Sequence, residues 1–81
     1  MKNFMMNLKA KKQAKEFKAL IDSYNNHIAE LIEQRNGWRK IVLDFQYPEE
    51  DRVMARYNII MCTKAITELE AAREKVVESS F

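Results

Sequence analysis

The sequence contains one proline and one glycine in 81 residues, and this scarcity of turn-forming residues constrains the fold more than any other feature. Architectures rich in β-hairpins need turn residues about every 8–12 positions, so they are excluded. Apolar residues make up 47% of the chain and charged residues 32%, a balance typical of folded rather than disordered proteins. The length allows one domain. We therefore expect a single all-α domain.

The proline, Pro48, marks the expected turn between two helices. Proline is favoured in the first turn of a helix, and it moves the residue before it out of the helical region. Three acidic residues follow at 49–51, where they complement the positive end of a helix dipole. The sequence thus predicts that helix one extends to about residue 45, that a turn covers 46–48, and that helix two covers about 48–79.

Apolar side chains repeat at heptad spacing on both sides of this turn, which is typical of helices that pack along one seam. The upstream series is Phe17, Ile21, Tyr24, Ile28, Leu31, Trp38, Val42 and Phe45. The downstream series is Val53, Met54, Tyr57, Ile59, Ile60, Met61, Cys62, Ala65, Ile66, Leu69, Ala72 and Val76.

The two series agree in register when the chain is folded at the turn. Because antiparallel helices have equal rise per residue, Leu31 then faces Cys62 and Trp38 faces Ala55, a large residue against a small one. The agreement of two independent patterns predicts a long antiparallel helical hairpin over residues 14–81.

Gly37 is the one position where helix one has an alternative. Asn36 and Gly37 are typical of a helix C-terminus, which would leave a short third helix from Trp38 to Phe45. The heptad series continues in phase through this dipeptide, however, so we expect one long helix with Gly37 inside it. Such a glycine costs about 1 kcal/mol relative to alanine.

Both helices carry apolar residues that the seam does not use. A helix that is apolar on all sides is buried on all sides, and a two-helix hairpin has too small a core to bury them. We expect the hairpin to dimerise into a four-helix bundle, or the same face to dock on another protein. This partner or dimer face comprises Val53, Tyr57 and Ile60 with Leu20, Ile32 and Ile41 of helix one.

Arg35 occupies a seam position, opposite Asn58 and Ile59 in the predicted register. One interpretation is that its aliphatic stem packs while the guanidinium reaches water or an acid. The other is that Arg35 is a polar core residue that fixes the register and the number of partners.

The first 18 residues form a basic arm, with six lysines against Glu16 alone, and residues 1–13 are expected to overhang the hairpin. The arm suits nucleic acid or an acidic protein, but it has no arginine to read base edges and too few aromatic residues to stack bases. Solvated surface and weak binding to an anionic membrane through Phe4, Met5 and Leu8 are the alternatives. The lysines are Lys2, Lys9, Lys11, Lys12, Lys15 and Lys18.

Catalytic, metal and cofactor sites are not expected. His27 and Cys62 are the only soft metal ligands, whereas zinc needs three or four, and a thiol inside Ile-Ile-Met-Cys is expected to be buried and inert. The sequence lacks a glycine-rich phosphate loop.

The sequence favours a non-enzymatic protein–protein interaction module, such as an assembly factor, a regulator or a phage-type inhibitor. The alternative is sequence-nonspecific nucleic-acid binding through the basic arm.

The expected location is the cytoplasm. No apolar run reaches the roughly 18 residues that a membrane span requires, and a single cysteine suits a reducing compartment.

Overall fold

The protein is a long helical hairpin. In a computed structural model, which describes the backbone of residues 2–79 and the side chains of residues 8–79, helix α1 covers Lys2–Leu43 and helix α2 covers Glu49–Ser79. The two helices pack against each other along their length and form a rod of 69 × 17 × 12 Å. The all-α hairpin expected from the sequence is therefore confirmed. Within residues 2–79, neither helix combines the length and apolarity needed to cross a membrane.

Helix α1 passes through Gly37 without interruption, so the alternative break at Asn36 and Gly37 is wrong. Gly37 does not adopt the left-handed conformation that ends many helices. A Cβ atom built at Gly37 would meet no atom within 4 Å, which means that close packing does not require glycine here. The continuing apolar seam holds the helix together across this position.

The turn covers residues 44–48 and begins earlier than predicted, because Asp44 ends α1 through its own side chain. The Asp44 carboxylate accepts a hydrogen bond from the Gln46 amide at 3.0 Å, an Asx-type turn. The Asp44 carbonyl accepts from the Tyr47 amide at 3.2 Å. The Pro48 carbonyl then accepts from the Arg52 amide at 3.1 Å, the first hydrogen bond of α2.

Phe45 is not part of the seam, and its assignment to the upstream series was wrong. Because α1 ends at Leu43, Phe45 lies in the turn with 82% of its surface exposed. The guanidinium of Arg52 lies 5.0 Å from the centre of its ring, within cation–π distance.

The core is a single narrow seam between the helices. Four apolar side chains are buried: Ile28, Ala55, Cys62 and Ile66. Other seam residues are half-buried, among them Tyr24, Trp38 and Leu69. Among the residues whose burial is described, no polar or charged residue is buried. Within α2 the inward side of the predicted seam thus runs from Ala55 through Cys62 and Ile66 to Leu69, and the seam is thin. Five members of the downstream series are exposed: Val53, Met54, Tyr57, Ile60 and Met61.

Candidate protein-interaction surface

The outer side of α2 carries a continuous apolar surface near the turn. Val53, Met54, Tyr57, Ile60 and Met61 are all exposed, with 60% of Tyr57 and 64% of Ile60 open to solvent. Their spacing of three and four residues places them side by side on one helix face. We call these five residues the α2 outer face. It extends about 12 Å along the helix, since each residue adds about 1.5 Å.

A shallow groove between the two helices adjoins this face. It is lined by Trp38 and Ile41 of α1, by Tyr47 of the turn, and by Asp51 and Met54 of α2. Met54 belongs both to the groove and to the α2 outer face, so the apolar surface continues from one helix to the other. Ile41 is half-buried and shares the groove with Met54.

The other two residues predicted for helix one lie apart from this surface. Leu20 is 21 residues before Ile41, which corresponds to about 30 Å along α1. Leu20 and Ile32 are 12 residues apart and therefore point about 120° away from each other. Both are partly exposed. Of the six predicted residues, the structure thus places Val53, Tyr57 and Ile60 on one exposed face, with Ile41 in the groove beside Met54. Their role in binding remains a prediction.

Arg35 is half-buried. Its Nη1 donates a long hydrogen bond of 3.5 Å to Thr63 Oγ1, one helical turn beyond the residues predicted to face it. Its Nε atom is buried without a hydrogen-bond partner. The guanidinium therefore contacts α2 through Thr63, and both interpretations of Arg35 stay predictions.

The basic arm belongs to α1, which is 42 residues long against 31 for α2. The lysines at 9, 11, 12, 15 and 18 are exposed, whereas Lys2, Phe4 and Met5 have side chains outside the described residues. Lys11, Lys15 and Lys18 follow each other at helical spacing on one face. The ammonium of Lys18 lies 3.8 Å from the carboxylate of Asp22, and both groups are largely exposed.

The two soft metal ligands are not placed to act together. Cys62 is buried with a free thiol, as its apolar sequence context predicted, while His27 is exposed. Within residues that the structure describes, no three His, Cys, Asp or Glu side chains form a group that could hold a metal ion.

Sequence reasoning missed the contribution of Met54, Met61 and Tyr47 to the apolar surface. Met54 and Met61 belong to the downstream heptad series, and their spacing from Tyr57 places them on the same face as Tyr57. Tyr47 lies in the turn, where helical periodicity carries no signal. The hydrogen bond between Arg73 Nη1 and Asn25 Oδ1, 2.7 Å long, was also not predicted, and it joins the two helices near the open end of the hairpin.

No protein-family model, curated protein or solved structure matches this chain.

Proposed function

We propose that this chain is a non-enzymatic protein–protein interaction module that binds through the α2 outer face and the adjoining groove. The observation that carries the proposal is the concentration of exposed apolar side chains at the turn end of the hairpin, including Tyr57 and Ile60. Monomeric proteins rarely expose large contiguous apolar patches, and such patches typically mark binding sites.

The composition of this surface suits a protein partner. It combines aromatic residues with methionine and branched aliphatic side chains, the types enriched at the centres of protein interfaces. Residues 57–63 carry no charge, so the centre of the face can lose its water without the cost of burying an ion. A module of this kind acts by occupying or bridging a partner surface, as an assembly factor, regulator or phage-type inhibitor does.

The thin core supports self-association as one mode of binding. Four buried side chains give a two-helix hairpin little hydrophobic stabilisation, and covering the α2 outer face would add to it. A homodimer is therefore part of the proposal. If the partner is a different protein, this chain would bind it through the same α2 outer face.

The test is the mass of the purified, nuclease-treated chain at micromolar concentration, measured by light scattering. We expect a self-associated species for the natural chain and a monomer for Ile60→Glu. A glutamate forced into the interface is an unpaired buried charge that costs several kcal/mol, which corresponds to at least a hundredfold rise in Kd.

The matched control is Ala71→Glu, which adds the same charge to the exposed side of α2 about 16 Å away. It should leave the association unchanged, and circular dichroism should show both variants to be helical. A folded natural chain that remains a 9.6 kDa monomer contradicts the self-association. An Ala71→Glu variant as defective as Ile60→Glu would move the binding site away from the turn end.

Nucleic-acid binding through the basic arm is the second candidate, and one observation favours it. Lys11 and Lys15 share an exposed face at the open end of the hairpin, where α1 is the longer helix, with 42 residues against 31 for α2. A row of lysines on a projecting helix can approach phosphates without steric hindrance from the rest of the hairpin.

A further inference from the structure

The α2 outer face is nearly symmetric about Tyr57. Its apolar members lie three and four residues before Tyr57, at Val53 and Met54, and three and four residues after it, at Ile60 and Met61. All five are exposed. When a second copy lies antiparallel with its Tyr57 at the same height, apolar residues therefore lie level with apolar residues on both sides of Tyr57, as a two-fold interface requires.

Charges of opposite sign bound the face at equal distances. Glu50 lies seven residues before Tyr57 and Lys64 lies seven residues after it, and seven residues correspond to two helical turns on the same side of the helix. Both side chains are exposed. Within the part of the chain that the structure describes, neither has an ion-pair partner in its own hairpin.

We infer that the partner of the α2 outer face is a second copy of this chain, packed antiparallel about a two-fold axis at Tyr57. This inference rests on the proposed interaction function and specifies its partner and geometry. In such a dimer Val53 lies at the height of Met61, and Met54 at the height of Ile60. The two copies of Tyr57 meet at the axis, where aromatic rings stack with an offset.

The terminal charges select the antiparallel direction over the parallel one. In the antiparallel dimer Glu50 of each copy lies level with Lys64 of the other, giving two opposite-charge pairs at the rim. A parallel dimer would place Glu50 against Glu50 and Lys64 against Lys64. Like charges set directly opposite each other disfavour that arrangement.

The size of the face limits the strength of the dimer. Five side chains over about 12 Å of helix form a small interface, in the range of weak or transient complexes. We therefore expect a Kd in the micromolar range, and the rim charges have a measurable share in it at low ionic strength.

A charge exchange tests the pairing. Lys64→Glu alone should raise the dimer Kd about tenfold at low salt, because both rim pairs become repulsive. Glu50→Lys alone should do the same. The double variant Glu50→Lys/Lys64→Glu should restore the natural Kd, since each copy again presents opposite charges. Urea unfolding of each variant separates loss of association from loss of helix, which matters at Glu50 because it lies in the first turn of α2.

Mixed disulfides test the direction independently and leave the five apolar residues intact. Glu50→Cys and Lys64→Cys chains, each keeping the buried Cys62, are oxidised separately and as an equimolar mixture. The antiparallel dimer should yield a cross-linked product only in the mixture. The natural chain serves as the control for Cys62.

Each other outcome overturns the inference and identifies what replaces it. Cross-linking of each variant alone shows a parallel dimer. If the natural chain associates and Ile60→Glu abolishes the association, but the mixed cysteine variants form no disulfide, the chain self-associates with a different geometry. The proposed function then still stands. A natural chain that stays monomeric removes self-association itself, and the face is then left to a different protein.

Discussion

Single residues show where the hairpin is tightly packed. Ala55 has no exposed surface, and the predicted register places the half-buried Trp38 opposite it. In that register, a small residue at position 55 allows α1 and α2 to approach closely beside the large indole. The other buried residues, Ile28, Cys62 and Ile66, keep 6–8% of their surface exposed, so position 55 should be the most sensitive to added volume.

Ala55→Leu is expected to destabilise the monomer by about 1–3 kcal/mol, because the added carbons must displace neighbours in a filled site. The measurement is the free energy of unfolding from urea titration, made at concentrations where the natural chain is monomeric.

Ala29→Leu is the matched control, since Ala29 is exposed on α1. It should change the free energy of unfolding by no more than about 0.5 kcal/mol. If Ala55→Leu is equally neutral, Trp38 does not pack over position 55.

At the scale of the helices, the heptad pattern predicted more than local residue preferences did. Local chemistry at Asn36 and Gly37 indicates a helix end, yet α1 continues because the seam residues on both sides pack against one partner helix. At the turn, local chemistry determines where α1 ends. No seam residue favours continuing the helix there, so the Asp44 carboxylate ends α1 two residues before the predicted position.

Gly37→Ala is expected to stabilise the hairpin by about 0.5–1 kcal/mol. The new methyl group meets no atom within 4 Å, and alanine loses less backbone entropy than glycine when it enters a helix. Thermal unfolding monitored by circular dichroism checks this.

Asn36→Ala provides the comparison, because it changes an exposed neighbour without removing a glycine. A fall in stability for Gly37→Ala would mean that α1 bends at this position in solution.

At the scale of the whole molecule, the two ends of the rod differ in chemistry. The turn end carries the apolar surface, whereas the other end carries the lysines of α1. Sequence patterns predicted the lysine-rich end from composition and Val53, Tyr57 and Ile60 from periodicity, but not that the apolar surface is concentrated at the turn end. These patterns could not predict that Met54 belongs to this surface or that Leu20 lies apart from it. Whether an off-seam residue joins a surface depends on the groove that the packed helices leave beside it.

If the basic arm binds duplex DNA, each lysine–phosphate contact should contribute about −0.9 to the slope of log affinity against log salt concentration. A chain lacking residues 1–13 should lose this binding and keep its helix content. Four contacts predict a slope of about −3.6, nearly the same for unrelated sequences because arginine is absent from the arm.

The double variant Lys11→Gln/Lys15→Gln tests two of the lysines without shortening the helix. It should make the salt slope less negative by about 1.8. If the full chain fails to bind DNA at low salt, the nucleic-acid function is eliminated and the interaction module remains.

The elongated shape has a consequence for how the chain behaves in solution. Its radius of gyration is 19.6 Å, whereas a compact domain of this length would have roughly 12 Å. A rod of this kind has a high frictional coefficient for its mass, so a monomer will elute from a sizing column where a much heavier globular protein does. Early elution is consequently expected even of a single chain. The number of copies in the assembly must be determined from a molar mass, by light scattering or sedimentation equilibrium.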